Sequence, residues 1–311
     1  MKRSLGIGFS GSKIYFTELS GTGEIVKAEN IESVKVDFDF ENELGKYKSS
    51  QKDLTNISSE ISTYIAKRNL EVTSAGLTIS SSQAFIITLP VDFTEGKQTI
   101  NSRIYWELSN YFPDNYNDFL VNTYRLNNVL PSKLSDDFLV IAVPKNTIEF
   151  VKRIFKICSL DLNVVDIDHF SAENSLRFIL KEKITGSNIL LTGIKNGRID
   201  YGYLQNGKYK FYTYSRYYNE TEFNLNLIRK LNSIINNELI AGKVDGIYFY
   251  GDDIKEDTFS ALEKNDLGPF MLLNPFECFT ASEVFLKNST LRKNFYSFAP
   301  GCGVALRNIQ S

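Results

Sequence analysis

The chain has 311 residues, 42% of them hydrophobic, enough to build two modest domains with real cores. Its 35 Lys and Arg against 37 Asp and Glu leave a net charge of -2 with the basic residues scattered, which excludes a polyanion-binding surface as the organising feature. One histidine, His169, excludes a multi-histidine zinc site, and the three dispersed cysteines, Cys158, Cys278 and Cys302, read as ordinary reduced thiols.

Residues 4–9 predict a first strand, turned by Ser10-Gly11-Ser12 into a second over 13–19, whose alternation suits a strand better than a helix. Gly6, Gly8 and Gly11 match the spacing G-x-G-x-x-G. A dinucleotide fingerprint needs a helix directly after its third glycine, whereas Ile14, Phe16 and Thr17 predict a strand, so that reading is set aside. A kinase is excluded as well, because His169 is not followed by Arg-Asp and no Asp-Phe-Gly triplet occurs. Ile57, Ile61, Tyr64 and Ile65 form a helical stripe leading into a strand over 76–79. An apolar run at 84–89, a helix carrying Ile104, Trp106, Leu108 and Tyr111 and stopped by Pro113, and extended stretches at 119–124 and 138–143 make a small α+β module. Ile148, Val151, Ile154, Phe155 and Cys158 recur at helical spacing before a strand at 162–167 and a helix at 170–180. His169, between that strand and helix, is expected to cap or pack.

The polar stretch 181–187 is the best boundary, because strands then restart at 188–191, 198–203 and 208–214, with Asn206-Gly207 as a turn. A long helix follows, with Phe223, Leu227, Leu231, Ile235 and Leu239 on one side, then a buried-type strand at 247–250 that ends in Gly251-Asp252-Asp253. Two lobes that each open with strand hairpins predict a duplicated α/β architecture. The expected division is 1–81 plus 161–183 as the first lobe, 82–160 as an inserted subdomain, and 184–311 as the second lobe with 216–244 as its helical part. After Met1-Lys2-Arg3-Ser4 no apolar stretch has the length of a signal peptide or a membrane span, so a cytoplasmic chain is expected.

Trp106-Glu107-Leu108-Ser109-Asn110-Tyr111-Phe112-Pro113 resembles the Trp-Glu-x-x-x-Tyr-aliphatic-Pro helix end of the PilM family. Phe85 to Pro90 resembles the strand before that helix, and Val164 to Arg177 the family's strand-to-helix segment. Ile247 to Asp253, Leu273 to Phe276 and Phe298 to Arg307 resemble, in order, its adenosine loop, a short return strand and the final helix. The resemblance spans nearly the whole chain. It implies an actin-like (ribonuclease H-like) duplicated two-lobe fold of the PilM and FtsA type with an inserted small α+β subdomain. It also implies a role as a cytoplasmic scaffold of a type IV pilus or related secretion platform, recruited to the membrane through the short cytoplasmic tail of a PilN-like protein. Such a tail suits a groove beside the inserted subdomain, with Tyr105, Tyr111 and Phe112 as candidate wall residues. The plain alternative is that Trp106, Tyr111 and Phe112 pack the subdomain core.

In actin-like ATPases two hairpin loops face each other across a nucleotide cleft. The resemblance maps them here to Gly8, Ser10, Gly11, Ser12 and Lys13 in the first loop, Gly193 and Asn196 in the second, and Gly251 in the adenosine loop. Gly8 stands where the family's first loop has an acid, the second loop lacks its acid and carries bulky side chains, and Asp252 and Asp253 put two carboxylates beside the adenosine position. Lys13 is placed to add a phosphate contact. The expectation is a scaffold without ATP turnover and with no resident metal or cofactor. An active ATPase whose lobes close on Mg·ATP is the first alternative. An FtsA-like filament former is the second, although 307–311 is too short for that protein's amphipathic membrane helix.

Overall fold

The computed structural model describes residues 2–44, 50–70, 74–92, 96–126, 135–236, 243–252, 254–288 and 294–310. β1 (Lys2–Ser10), β2 (Lys13–Thr22) and β3 (Ile25–Lys35) form an antiparallel meander. Its first turn places Gly11 at φ 53, a conformation that favours glycine. Strand, not helix, therefore follows the third glycine of the G-x-G-x-x-G run. β4 (Ser74–Ile79) and β8 (Asp161–Ile167) extend this sheet in parallel beyond β1. α1 (Gln51–Arg68) begins at a capping box in which Ser50 Oγ accepts the Asp53 N–H and the Asp53 carboxylate accepts the Ser50 N–H. Of the predicted stripe of α1, Ile57, Ile61 and Tyr64 are buried and Ile65 half-buried, and Tyr64 stacks on Phe16 with ring centroids 4.1 Å apart.

The insertion is a three-stranded antiparallel sheet in the order β5-β7-β6, formed by β5 (Phe85–Asp92), β6 (Phe119–Arg125) and β7 (Ser135–Pro144). α2 (Lys97–Tyr111) lays Ile104 and Leu108 on one face of it, against Val140 and Ala142. On the other face Leu139 and Ile141 join the first-lobe core together with α3 (Lys145–Ile157).

α4 (Asp168–Leu180) leads to the second lobe, a five-stranded sheet in the order β11-β10-β9-β12-β13. It comprises β9 (Asn188–Lys195), β10 (Arg198–Gln205), β11 (Lys208–Arg216), β12 (Gly246–Gly251) and β13 (Phe270–Leu272). α5 (Glu220–Ile235) and α6 (Glu256–Lys264) cover one face; Leu239 and Asp253 lie outside the described residues.

The expected second lobe does not keep the chain to its end. β14 (Thr280–Ala281) pairs in parallel with β3 at the far edge of the first sheet, followed by the short α7 (Glu283–Leu286). α8 (Ala299–Gln310) then lays Cys302, Ala305, Leu306 and Ile309 on the first-sheet face that carries Tyr15 and Leu19. α1 covers only one side of that sheet, and burying the other requires the C-terminal helix. α8 also crosses α4 tightly: a Cβ at Gly303 would stand 1.7 Å from Ser171 O. Ser171 Oγ donates to Pro300 O at 2.8 Å and Ser175 Oγ to Ala299 O at 2.7 Å. Cys158, Cys278 and Cys302 are all free thiols.

Candidate functional site

The two-residue period of a strand sorts β9, β10 and β12 into two faces. Leu190, Ile194, Ile199, Tyr201, Ile247 and Phe249 point into the core beneath α5 and α6. Gly193 and Lys195, opposite Asp200 and Arg198 in register, point the other way, into the cleft toward α4 and the first lobe. There Lys195 Nζ meets Asp168 Oδ2 at 2.6 Å, Ser81 Oγ at 2.6 Å and Asp200 Oδ2. Ser81 Oγ donates to Asp200 Oδ2 at 2.5 Å, while Arg198 Nε and Tyr212 OH donate to Asp200 Oδ1 at 2.8 and 2.6 Å. The Lys195 side chain is 2% exposed, Asp168 5% and Asp200 0%. Burial pushes the Asp200 carboxyl up, but the Lys195 and Arg198 charges outweigh it and hold the group well below the usual carboxylate range. Burial pushes the Lys195 ammonium down, and Asp168 and Asp200 outweigh it in turn, so Lys195 stays charged.

His169 packs rather than caps. It is fully buried, its Nδ1 lies 3.0 Å from Tyr250 OH, and burial lowers its pKa to about 3, so the ring is neutral.

Of the sequence-predicted nucleotide residues, Gly8, Ser10 and Gly251 line a cavity of about 20 Å³ together with Asp168, Lys195 and Tyr250. That is room for about one water. Ser10, Gly11, Ser12, Lys13 and Asn196 line the cleft mouth, about 350 Å³, together with Glu41 and Asp252. Gly193 instead makes space for Tyr250, whose OH lies 2.3 Å from where a Cβ would stand. The first-loop Gly11 N–H donates to Glu41 Oε1 at 3.4 Å, and burial pushes Glu41 up to about 7.

These residues do not fit Mg·ATP. The innermost space is too small for a phosphate, two carboxylates line the mouth, and a side chain of the protein already accepts from the first loop's amide. Among the described residues no group of three His, Cys, Asp or Glu side chains is placed to hold a metal. Glu41, Ser81, Asp168, Lys195, Arg198 and Asp200 were missed by motif reasoning. The available signal was the charged set Lys195, Arg198 and Asp200 around an Asn-Gly turn in otherwise apolar strands.

A second concavity, about 460 Å³, runs between the insertion and the first lobe. β6 supplies Leu120, Asn122 and Tyr124, β7 supplies Ile141 and Val143, and β8 supplies Val165, Asp166 and Ile167. β6 and β8 are each the last strand of their sheets among the described residues. Arg307 of α8 closes one wall, its Nη2 3.2 Å from Asp166 Oδ2. Burial, partly offset by Arg307, pushes Asp166 up to about 6.

None of Tyr105, Tyr111 and Phe112 lines this groove. α2 covers the opposite face of the insertion sheet, where Phe112 packs between Phe85 and Phe119 and Tyr111 rests on Phe85 while staying 55% exposed. Tyr105 is 37% and Trp106 64% exposed, so of the aromatic set only Phe112, half-buried, packs against the insertion's core.

The sequence matches no known family model and no curated protein. In three dimensions the chain is similar to a chain of the solved PilM-PilN type IV pilus biogenesis complex, with TM-score 0.81, 14% identity and 99% of each chain covered. It is also similar to a protein of Bacteroides thetaiotaomicron with an actin-like ATPase fold and unknown function, with TM-score 0.51, 12% identity, and 88% of this chain and 91% of that one covered. No described helix is long and apolar enough to cross a membrane. The chain has the actin-like fold, with a small α+β subdomain inserted in its first lobe.

Proposed function

We propose that this chain is an assembly scaffold that captures the cytoplasmic tail of a PilN-like membrane protein in the groove between β6 and β8, without ATP turnover. The observation that carries this reading is the pair of terminal strands flanking one apolar groove. Each strand is seven residues long, so either edge offers backbone hydrogen bonds to an extended segment of about 20 Å. Main-chain pairing supplies affinity in such a mode, and pockets for alternate side chains supply selectivity. The groove's volume falls in the usual range of roughly 300–1,000 Å³ for binding sites. The similarity in fold to a chain from a complex named for PilM and PilN supports the choice of partner. Recruitment of the chain to the membrane would then run through that partner.

The test is calorimetric titration of the full chain with a synthetic peptide of the cytoplasmic tail of a PilN-like protein from the same genome. Leu120 is 47% exposed in the groove, so Leu120→Glu should weaken binding at least about ten-fold without unfolding the chain. Tyr111→Ala, on the far face, should leave it unchanged. Absence of peptide binding, or loss through Tyr111→Ala alone, would overturn the reading.

A further inference from the structure

We infer that Lys195 is a resident cation that holds the two lobes closed from within, so that closure of this cleft is built into the chain. The inference concerns the cleft alone and is independent of the peptide groove. Asp168 comes from the first lobe, at the start of α4, and Asp200 from the second, on β10; the ammonium touches both. Ser81, also from the first lobe, accepts from Lys195 and donates to Asp200, so three polar links cross the lobe boundary at one atom cluster. Arg198 balances the second negative charge, leaving the buried set of Lys195, Arg198, Asp168 and Asp200 neutral. The first-loop amide that an anionic ligand would use is held by Glu41.

Deleting the ammonium would leave two buried carboxylates, one per lobe, facing an ammonium-sized void. They would repel each other and part the lobes, and they would form an oxygen-rich seat for a divalent cation where the native chain has none.

The experiment follows amide exchange in the full chain at residues 81–83 and 169–171. The Ser81 and His169 N–H groups both donate to Asp168 Oδ1, at 3.0 and 2.7 Å, and so report on the junction. In the wild type, exchange should be slow and indifferent to millimolar Mn²⁺ or Mg·ATP. In Lys195→Ala it should be about ten-fold faster or more and return toward the wild-type rate on adding Mn²⁺. Lys195→Ala combined with Asp200→Asn should exchange fast and ignore Mn²⁺. If Lys195→Ala folds only in Mn²⁺, that too supports the inference. If it does not fold at all, Lys195→Met with Asp200→Asn, which keeps Asp168 as the acceptor of both reporter amides, decides: faster exchange at the same amides supports the inference. Wild-type exchange in that variant or in Lys195→Ala would overturn it. So would a Mn²⁺ response that survives Asp200→Asn, or slowing of wild-type exchange by Mg·ATP.

Discussion

Lys195 Nζ of the second lobe lies 2.6 Å from Asp168 Oδ2 of the first, with both side chains almost wholly removed from water. A buried pair of this kind adds little over an apolar pair of the same shape, but losing one member strands the other charge. Lys195→Ala should therefore cost about 3–5 kcal/mol in urea unfolding, and Lys195→Met with Asp168→Asn clearly less. Equal costs for the two variants would show that the pair is not an energetic unit.

Glu41 gives the cleft mouth a pH dependence of definite sign. Its pKa is raised from 4.5 to about 7, so between those values the folded chain binds more protons than the unfolded one. Its contribution is fully present below pH 4.5 and is lost as pH rises through 7. The difference amounts to about 3 kcal/mol at most. Glu41→Gln should raise the melting temperature relative to wild type at pH 8 and change it little at pH 4.5.

His169 acts in the opposite sense. With its pKa lowered from 6.5 to about 3, the unfolded chain takes up the proton first, so stability is present above pH 6.5 and falls as pH drops toward 3. The slope approaches about 1.4 kcal/mol per pH unit. His169→Asn, which keeps a polar partner for Tyr250, should flatten the acid limb of a stability profile measured by urea melts from pH 7 to 4.

Arg307 and Asp166 tie the last helix to the groove wall. Arg307→Ala leaves a buried carboxyl whose pKa is already raised to about 6. Its cost should be about 1–3 kcal/mol at pH 8 and smaller at pH 5, where Asp166 is mostly protonated and needs no cation. Denaturation at the two pH values checks this.

Much of the fold was legible in sequence because its elements are strongly periodic: the stripe of α1, the alternation of β1 and β2, and the hairpin turn at Asn206-Gly207 all stand as expected. β3 was not, since Lys27, Glu29 and Glu32 break its apolar pattern. Nor was the return of β14 and α8 to the first sheet, which depends on pairing across some 250 residues. Of the loop residues read as a nucleotide set, Gly8, Ser10 and Gly251 gather at the inner end of the cleft and Ser10, Gly11, Ser12, Lys13 and Asn196 at its mouth, while Gly193 packs under Tyr250. Of the ion cluster only the local part, Lys195, Arg198 and Asp200 around one turn, left a signal in sequence; its junction to the first lobe did not, because Ser81 lies 119 residues from Asp200. The α2 aromatics were read toward the groove because a helical stripe reveals which residues are buried but not which face of a sheet the helix covers.

The central claim, a peptide-binding scaffold whose cleft is closed without nucleotide, is tested most directly by titrating the full chain with the tail peptide in the presence and absence of millimolar Mg·ATP. Coupling between two sites is reciprocal, so a cleft that does not respond to nucleotide cannot pass a change to the groove. The expected result is measurable peptide binding with the same Kd in both conditions. A shift of several-fold or more in either direction would contradict the claim and establish nucleotide-linked control of the groove.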